Sequence, residues 1–440
     1  MKRRQFLQRS ASIAAGIALP ALVGPGRVLG ANERIRMGFM GVGGRGGSVM
    51  RGFCELPDVD ARTVCDIDSS RLAKSVDEVA ERKSGKKPTP MKDFRRMLDD
   101  QSIDAITVGT PDHWHALGTI FACQAGKDVY VEKPPSHNIR EGQVMLQAAR
   151  KYKRVVQVGI QSRSQDHHKE CYDFLRTGAL GKVVFAKAWE SHRQRKLPDR
   201  PDEPVPEGVD YDTWLGPAET RPYNRSRFHG SWRWFFDFGT GDLGNDGVHR
   251  LDYAIRGLNA AREGMGEKPY DFPLAAASSG GKYFFDDPQE WPDTLYVTYD
   301  YPKATIVYEM RIWSPYPHEG VGEGAAVYGE KGYVIIGNLS WRAFGADDEP
   351  MRIGMQSTNK QADPDHKRNF LHCVRTRKTP NCDIGVAMHT NVGCHLGNAS
   401  WRANKKLTFN PATFSIGPDA ADNRWVERTY RKKWSLPVTV

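Results

Sequence analysis

The sequence predicts an α/β protein in which an N-terminal, doubly wound parallel sheet precedes a second, α+β domain whose sheet is mostly antiparallel. Up to residue 158, short apolar runs alternate with stretches that suit helices of about 10–15 residues, which is the pattern of βαβ units. After about residue 160, longer segments alternate apolar and polar residues, as half-buried antiparallel strands do. We therefore expect a boundary between domains at 32–158 and 159–440.

The elements of the first domain follow from this alternation. Asp68 stands directly before Ser69 and is expected to cap a helix that begins there. The expected strands are 35–41, 61–67, 104–108, 128–132 and 154–158, and the other expected helices are 41–56, 113–125 and 139–152.

The second domain shows fewer clear elements. Segments 293–301 and 304–313 predict a hairpin that turns at Tyr301, Pro302 and Lys303. Segment 195–225 is rich in Pro, Asp and Arg and is expected to be a long surface loop, whereas an amphipathic helix begins at His366. The other expected strands are 182–190 and 332–336.

Charge and composition exclude some partners. The 440 residues are 39% hydrophobic and 26% charged, as in ordinary globular proteins. The formal net charge is +10, but residues 1–30 contribute five positive charges and no acid, which leaves +5 on the remainder. A charge this dilute, without a Lys/Arg run, predicts that the protein does not bind nucleic acid.

The cysteines and histidines show no metal-binding pattern. None of the seven cysteines forms a C-x-x-C pair, and His167, His168 and His389 have no familiar ligand spacing. No metal site is therefore expected. We expect the cysteines to be mostly free thiols in the core, and a bridge between Cys382 and Cys394 stays open as an alternative.

The first 31 residues resemble an export signal. Arg3 and Arg4 are followed by Gln5-Phe6-Leu7 and then by a short, weakly apolar stretch that is too short to span a membrane as a helix. This pattern predicts a twin-arginine signal, the twin-arginine translocation machinery as a partner, and a periplasmic or otherwise exported protein. An uncleaved N-terminal anchor is the alternative. Since this route carries folded proteins, a cofactor could be enclosed before export.

A glycine loop follows the first predicted strand. Gly41, Gly43, Gly44 and Gly46 form G-x-G-x-x-G between that strand and a helix, with Arg45 inside the loop. Glycines here permit a tight turn, a close approach of the backbone to pyrophosphate, and close packing of helix on strand. Arg45 either neutralises pyrophosphate or faces solvent.

Asp66 lies twenty residues beyond Gly46, at the end of the second predicted strand. A carboxylate at this position accepts hydrogen bonds from ribose hydroxyls and repels a 2′-phosphate. Together, the loop and Asp66 predict a Rossmann domain that binds NAD rather than NADP.

Two further motifs carry a family resemblance. Thr110-Pro111-Asp112-His113-Trp114-His115 and Glu132-Lys133-Pro134 resemble the paired signatures of the glucose–fructose oxidoreductase, inositol dehydrogenase and MocA (Gfo/Idh/MocA) family. Segments 232–252 and 394–400 resemble an exported bacterial branch of that family. The resemblance covers the chain after the signal.

The resemblance implies a fold and a site. It implies a second domain with a large open sheet that serves homo-oligomerisation, and cofactor contacts from Thr110, Pro111, His115 and Glu132. It also implies that Lys133 lies near the nicotinamide ribose and the substrate hydroxyl. Independently, Lys133 follows a predicted parallel strand, at the edge where such sheets bind ligands.

The resemblance further implies that His249 is the acid/base, and an imidazole titrates in the range that this role needs. His249 falls on a predicted helix, 242–257. Many family members have an aspartate four residues before this histidine, where this chain has Asn245, with Asp246 next to it. Either His249 works without a carboxylate on that face, or the helix register is shifted.

Aromatic and basic residues complete the predicted substrate site. Trp232 and Trp234 are candidates to stack on sugar rings, and Arg163 to line the cleft, together with Asn245 and Asp246. The sequence thus predicts NAD-dependent hydride transfer at a hydroxyl of a carbohydrate-like substrate. Redox-assisted cleavage of glycosides is one alternative, and a non-catalytic sugar-binding protein is another.

Overall fold

Six parallel strands form the first sheet in the computed structural model, which describes residues 34–357, 362–417 and 420–437. The predicted signal, residues 1–31, lies outside the described residues. The strands are β1 (Ile35–Met40), β2 (Val59–Cys65), β3 (Thr89–Met91), β4 (Ala105–Val108), β5 (Asp128–Val131) and β6 (Val156–Val158). Their order is β3-β2-β1-β4-β5-β6. Strands are therefore added outward on one side of β1 and then on the other, and doubly wound sheets bind ligands at this switch point, between β1 and β4.

The helices of this sheet begin where capping residues allow them to. Asp68 caps its helix by accepting the N–H groups of Ser70 and Arg71, as predicted, and Asn138 caps a later one. The sequence did not predict β3 or the short helix after it. The helices are α1 (Gly44–Cys54), α2 (Ser69–Arg82), α3 (Phe94–Asp99), α4 (Asp112–Gln124) and α5 (Ile139–Lys151).

Ten strands form the second sheet. Among the described strands of this sheet, β7 and β10 form a parallel pair and the other neighbours are antiparallel. The predicted hairpin is confirmed, since Tyr301 pairs with Ala304 across Pro302-Lys303. The strands are β7 (Val183–Ser191), β8 (Ala275–Gly281), β9 (Thr294–Tyr301), β10 (Ala304–Arg311), β11 (Glu323–Gly329), β12 (Gly332–Gly337), β13 (Trp341–Gly345), β14 (Pro350–Ile353), β15 (Leu407–Asn410) and β16 (Ser415–Ile416). The order is β14-β13-β12-β11-β7-β10-β9-β8-β15-β16, with β7 near its centre.

Helices cover one face of the second sheet. The remaining helices are α6 (Asp166–Arg176), α7 (Tyr211–Leu215), α8 (Gly241–Asn245), α9 (Gly247–Gly264), α10 (Ala362–Thr376) and α11 (Ile384–Ala403). Helix α9 packs on β7 and β11, and α11 packs between β8 and α5. The predicted single helix over 242–257 is wrong: α8 ends at Asn245, and α9 begins at Gly247.

Two more expectations are settled by burial. Segment 195–225 is not wholly a surface loop, because α7 buries Tyr211, Trp214 and Leu215 in the core. All seven cysteines are buried free thiols, so Cys382 and Cys394 are not bridged. In the described part of the chain, no helix is long and apolar enough to cross a membrane.

Candidate functional site: a cleft at the carboxyl ends of the parallel strands

A deep cleft opens where β1, β2, β4 and β5 end. Because the carboxyl ends of parallel strands share one edge of the sheet, the loops that follow them converge there. Side chains from the second half of the chain form its other wall. The residues that line it include Gly41, Gly43, Gly44, Arg45, Asp66, Arg71, Lys92, Thr110, Pro111, His115, Glu132, Lys133, His229, Trp232, Arg233 and Asn245.

The glycine loop has the geometry that a pyrophosphate needs. Gly41 has a positive φ of 74°, and a side chain there would meet the Thr110 backbone N at 2.8 Å. A side chain on Gly46 would collide with the carbonyl oxygen of Gly41, so only glycine lets α1 pack this closely on the sheet. No described side chain caps the N-terminus of α1, whose first N–H groups therefore remain available to an anion.

Asp66 is held in place by the backbone around it. Its Oδ2 accepts the N–H of Val42, inside the glycine loop, at 2.9 Å, and its Oδ1 accepts the N–H of Asp68 at 3.0 Å. Burial raises the pKa of Asp66, although both N–H donors act in the opposite direction. The carboxylate is thus fixed between the loop and α2, beside the cleft.

Basic side chains near Asp66 are functional candidates that sequence reasoning missed. The Arg71 guanidinium occupies the space that a side chain on Gly43 would need, and both Arg71 and Lys92 line the cleft. His229 Nε2 lies 2.7 Å from Asp68 Oδ2, and burial, with the charge of Arg71, lowers the pKa of His229 to about 4. The position of Arg71 in the first turn of α2 was the available signal.

Arg45 is exposed, lines the cleft and is held there by two carboxylates. Its Nε donates to Glu132 Oε1 at 3.0 Å, and its two terminal nitrogens donate to Asp363 at 2.8 Å each. The negative charge of Glu132 is the main reason why the pKa of Arg45 is raised. Arg45 therefore joins the glycine loop to the end of β5 and to α10.

His115 links the two signature loops. Its Nε2 lies 2.8 Å from the Thr110 carbonyl oxygen and its Nδ1 lies 2.6 Å from the Pro134 carbonyl oxygen. These contacts tie the loop after β4 to the loop after β5. His113, by contrast, is buried between the carbonyl oxygens of Trp214 and Phe238 and contributes to packing.

Lys133 reaches from the end of β5 to the break between α8 and α9. Its ammonium donates to the Asn245 backbone oxygen at 2.7 Å, to Asn245 Oδ1 at 2.8 Å and to Asp246 Oδ1 at 3.3 Å. The side chain is only 14% exposed, so these partners fix its position in the cleft. The structure thus joins Lys133, Asn245 and Asp246, three predicted site residues.

The helix break answers the question that Asn245 raised. Helix α8 stops at Asn245 and α9 begins at Gly247, so Asn245 and His249 do not lie on one continuous helix. Asn245 Nδ2 donates to Asp246 Oδ2 at 3.0 Å, which orients that carboxylate towards Lys133. The predicted continuous helix is therefore interrupted, and Asp246, the residue at the break, contacts Lys133 with its carboxylate.

His249 is half-buried in the first turn of α9. Burial holds the pKa of His249 well below 6.5, and the positive charges of Lys133 and Arg250 lower it further, against the effect of Asp246. A neutral imidazole of this kind is able to accept a proton.

Four predicted substrate residues are absent from the lining of the cleft: Arg163, Trp234, Asp246 and His249, of which Asp246 contacts Lys133. Arg163 is absent from the lining of the cleft and donates to Asp252, with its closest contact at 2.6 Å. Trp234 is buried in the hydrophobic core, whereas Trp232 does line the cleft. Asp252 also accepts the Thr390 hydroxyl, so Arg163 belongs to a buried network that joins α9 to α11.

The structure also brings together a group that the sequence did not reveal. Glu190, His192, Asp242 and Asp246 each offer one ligand atom, and these four atoms lie within 4.8 Å of one another. The expectation of no metal site rested on cysteine and histidine spacing alone. The missed signal was E-x-H on a strand together with D-x-x-x-D across the helix break.

The chain matches one oxidoreductase family in both halves. Residues 35–160 match the "Oxidoreductase family, NAD-binding Rossmann fold" of GFO_IDH_MocA, and residues 185–259 match its "C-terminal alpha/beta domain". The first match spans the glycine loop, Asp66 and Lys133, and the second contains His249.

Curated relatives include glycosyl hydrolases. A glycosyl hydrolase family 109 protein of Shewanella pealeana is 27% identical over 215 residues, which are 44% of this chain and 47% of that protein. An alpha-N-acetylgalactosaminidase of Shewanella oneidensis is 26% identical over 216 residues, 44% of this chain and 46% of that protein. The chain thus matches about half the length of these relatives.

Solved structures share the fold over most of the chain. The aldose-aldose oxidoreductase of Caulobacter crescentus, complexed with glycerol, has a TM-score of 0.63 at 19% identity and covers 86% of this chain and 100% of its own. The WlbA dehydrogenase of Bordetella pertussis, in complex with NADH and UDP-GlcNAcA, has a TM-score of 0.61 at 17% identity and covers 86% and 99%. With both family domains matched in order and the glycine cleft intact, the chain belongs to the Gfo/Idh/MocA family of NAD-binding oxidoreductases.

Proposed function

We propose that the protein transfers hydride, with NAD, at a hydroxyl of a sugar or a sugar-like substrate. The observation that carries this proposal is a set of contacts: Lys133, in the cleft that the glycine loop lines, donates hydrogen bonds to Asn245 and Asp246. The same contacts place a fixed ammonium at the end of a parallel strand, next to Trp232 and the polar groups of the second half. The similarity to the aldose-aldose oxidoreductase and to the WlbA dehydrogenase, which was solved with NADH and UDP-GlcNAcA, supports a substrate of the same class.

The side chains divide the work of oxidation between them. NAD, when bound, accepts a hydride from the carbon that bears the reacting hydroxyl. Lys133 would donate a hydrogen bond to that oxygen and stabilise the negative charge that develops on it. His249, neutral because its pKa is lowered by burial, would take the hydroxyl proton. Asp246 and Asn245 would hold Lys133 in the position that both steps require.

Turnover with candidate sugars tests the proposal. Purified protein is mixed with NAD and a panel of aldoses, alditols and uronic acid derivatives, and NADH formation is followed by absorbance. We expect oxidation of at least one substrate, and loss of it in Lys133→Met. A protein that holds no dinucleotide and turns over none of the panel would favour the non-catalytic sugar-binding alternative.

Redox-assisted cleavage of glycosides is the second candidate. The observation that favours it is the match to family 109 glycosyl hydrolases and an alpha-N-acetylgalactosaminidase. In that reaction NAD takes a hydride as a ring hydroxyl becomes a ketone, and elimination then breaks the glycosidic bond and leaves a double bond. Water adds to that double bond, and the hydride returns to the ketone. With an aryl glycoside, release of the phenol without net NADH identifies this route, whereas accumulating NADH identifies a simple dehydrogenase.

We infer that the protein is exported through the twin-arginine route with its cofactor bound. The support is Arg3-Arg4 before Phe6-Leu7 together with an intact glycine loop. Replacing both arginines with lysine should leave the protein in the cytoplasm. After extensive dialysis, denaturation of the wild-type protein should release about one dinucleotide per chain, because slow dissociation is what retains a cofactor. Normal export of the lysine variant, or an empty site, would each contradict the corresponding half of this inference.

We infer further that copies of the chain associate through the second sheet. A row of aromatic side chains crosses four strands on the face opposite α9: Phe185, Tyr328, Tyr333 and Phe344 are register partners with ring centroids 5.0–5.8 Å apart. Ile353, on the edge strand β14, adds exposed apolar surface. Light scattering should show an oligomer, and Tyr333→Glu should convert it to a monomer. A wild-type monomer would contradict the inference.

A further inference from the structure

Four metal-binding side chains converge behind Lys133. Glu190 and His192 come from the end of β7, and Asp242 and Asp246 come from α8 and the residue after it. Their four ligand atoms lie within 4.8 Å of one another. The set combines three carboxylates with an imidazole, a composition that suits divalent first-row cations rather than a hydrogen-bonded core.

Local geometry explains why these residues share one place. Glu190 lies on β7 and His192 is the first residue after it, where the His192 N–H still bonds the Arg311 carbonyl oxygen. Residues two apart on extended backbone point to the same face, so the two side chains lie on one side of the sheet. Asp242 and Asp246 are four residues apart, and the N–H of Asp246 still bonds the Asp242 carbonyl oxygen at 3.0 Å, which keeps them one helical turn apart. The strand and the helical turn therefore bring two donor pairs to one point.

The buried carboxylates have no hydrogen-bond partners. The side chains of Glu190 and Asp242 are fully buried, and all four of their oxygens lack a hydrogen bond to any described residue. His192 Nδ1 lies 3.2 Å from Glu190 Oε1, but outside hydrogen-bond geometry. Two buried, unsatisfied carboxylates carry a large desolvation cost. One oxygen of each carboxylate lies within 4.8 Å of the other ligand atoms of the cluster.

The environment of His192 prepares it as a ligand. The side-chain amide of Gln194 lies 2.8 Å from His192 Nε2, so that nitrogen is engaged and Nδ1 is left facing the carboxylates. Metal-bound histidines donate their second ring N–H to an acceptor, which fixes the ring orientation. The Gln194 amide supplies such an acceptor when its oxygen, rather than its nitrogen, faces Nε2. Asp246 is fixed in turn by Asn245 and Lys133.

We propose that Glu190, His192, Asp242 and Asp246 bind one divalent first-row transition cation of the Mn²⁺ or Zn²⁺ type. The charge balance supports a cation, since three carboxylates meet one imidazole and only Asp246 is paired with Lys133. The site goes beyond the proposed function and does not depend on it. A cation there would share Asp246 with Lys133 and so fix the position of that ammonium from the side opposite the cleft.

The alternative is that a protonated His192 alone bridges the carboxylates. His192 lies between Glu190 and Asp242, with Nε2 3.9 Å from Asp242 Oδ2. Burial lowers the pKa of His192, but the contact with Glu190 and the charge of Asp242 outweigh it and raise the pKa to about 9. An imidazolium would leave the protein indifferent to metal ions, which separates the two possibilities by experiment.

Metal binding by the wild-type protein is the first test. The full-length protein is stripped with EDTA, dialysed, and titrated with MnCl₂ and with ZnCl₂ by calorimetry, and its metal content is measured after gel filtration. We expect about one equivalent of metal per chain and a rise in melting temperature on binding, because a ligand of the folded state stabilises it. A content near zero for both ions, with an unchanged melting temperature, would overturn the proposal. This outcome leaves hydride transfer untouched.

Isosteric variants form the second test. Glu190→Gln and Asp242→Asn keep the shape of the site but remove ligand charge, and each should weaken binding by about a hundredfold or more. The matched control is Glu309→Gln, on β10, the strand next to β7, where Glu309 faces away from the helices and pairs with Lys187. The control should bind metal like the wild type. Binding that survives Glu190→Gln and Asp242→Asn together would overturn the assignment of ligands.

Discussion

The two halves of the cleft differ in how their residues are brought together. In the nucleotide half, each residue follows a strand of one parallel sheet: Gly41 after β1, Asp66 after β2, Thr110 after β4 and Lys133 after β5. In the second half, the polar residues come from one strand end and from two helices that are separated by a break. Sites of the first kind are recorded in local motifs, whereas sites of the second kind depend on tertiary packing.

This difference predicts that the two halves of the cleft have separate roles, which substitutions can test. If the nucleotide half binds the cofactor, and Lys133 together with residues of the second half catalyses the reaction, then substitutions should affect NAD binding and turnover separately. The predictions below are ordered by the size of the expected effect.

Lys133→Met should cause the largest loss. Methionine fills similar space but cannot stabilise negative charge on the substrate oxygen, so turnover should fall about a thousandfold, while NAD binding changes little. Stopped-flow kinetics and NAD titration measure the two quantities. The control is Lys74→Met, an exposed lysine on α2. A Lys133→Met protein that loses NAD affinity and turnover equally would place Lys133 with the cofactor instead.

His249→Ala should reduce turnover by about a hundredfold, as is usual for a positioned acid/base group. Its melting temperature and its NAD affinity should stay close to those of the wild type. The reason is that no described residue forms a hydrogen bond with the His249 ring, so the substitution breaks none. The pH dependence of kcat/KM should lose its acidic limb. Unfolding of the variant at ordinary temperature would show that His249 is structural.

The sequence predicted more of the first sheet than of the second. Five of the six strands of the first sheet, the cap at Asp68 and the glycine loop were predictable, because apolar runs and turn glycines act locally. Several strands of the second sheet were missed, among them β8 and β11, which are rich in Gly, Ala and Ser and show weak alternation.

The site residues could likewise be predicted only where a local sequence pattern marks them. Arg163 was predicted to line the cleft because it follows the last parallel strand, but Asp252, 89 residues later, binds it. A partner so distant in sequence leaves no local pattern. Glu190 and Asp242 were missed for the same reason, since each is ordinary until the sheet and α8 bring them together.

Asp66→Ala should weaken NAD binding by about tenfold and leave NADP binding nearly unchanged, because the carboxylate binds ribose hydroxyls but repels a 2′-phosphate. Arg71 and Lys92, which line the cleft close by, should then favour NADP. Fluorescence titration with both cofactors tests this. An equal loss for NAD and NADP would show that Asp66 only supports the glycine loop through Val42.

Glu141→Gln should have the smallest effect and should change stability alone. Burial raises the pKa of Glu141 to about 7, despite Arg428 and the hydroxyl of Tyr430. The folded state therefore keeps this proton to a higher pH than the unfolded chain, whose carboxyl titrates near 4.5. Stability from this group is complete below pH 4.5 and is lost as the pH rises to 7.

The variant stays neutral throughout, so its melting temperature should fall less than that of the wild type between pH 5 and 8, by about 3 °C. Scanning calorimetry at both values measures the difference. The control is Glu263→Gln, a partly exposed acid on α9. If Glu141→Gln and the wild type show the same pH dependence, Glu141 is not protonated in the folded state.

The break between α8 and α9 has a consequence for how this site can change. An added residue inside one continuous helix would rotate everything beyond it by about 100°. Here α8 is anchored through Asn398, which donates to the Thr240 carbonyl oxygen, and α9 is anchored separately through Asp252. An insertion at residue 246 would therefore be absorbed at the junction, without rotating either helix. Because the junction itself carries Asp246, such an insertion would displace the carboxylate that contacts Lys133 while both helices stay anchored.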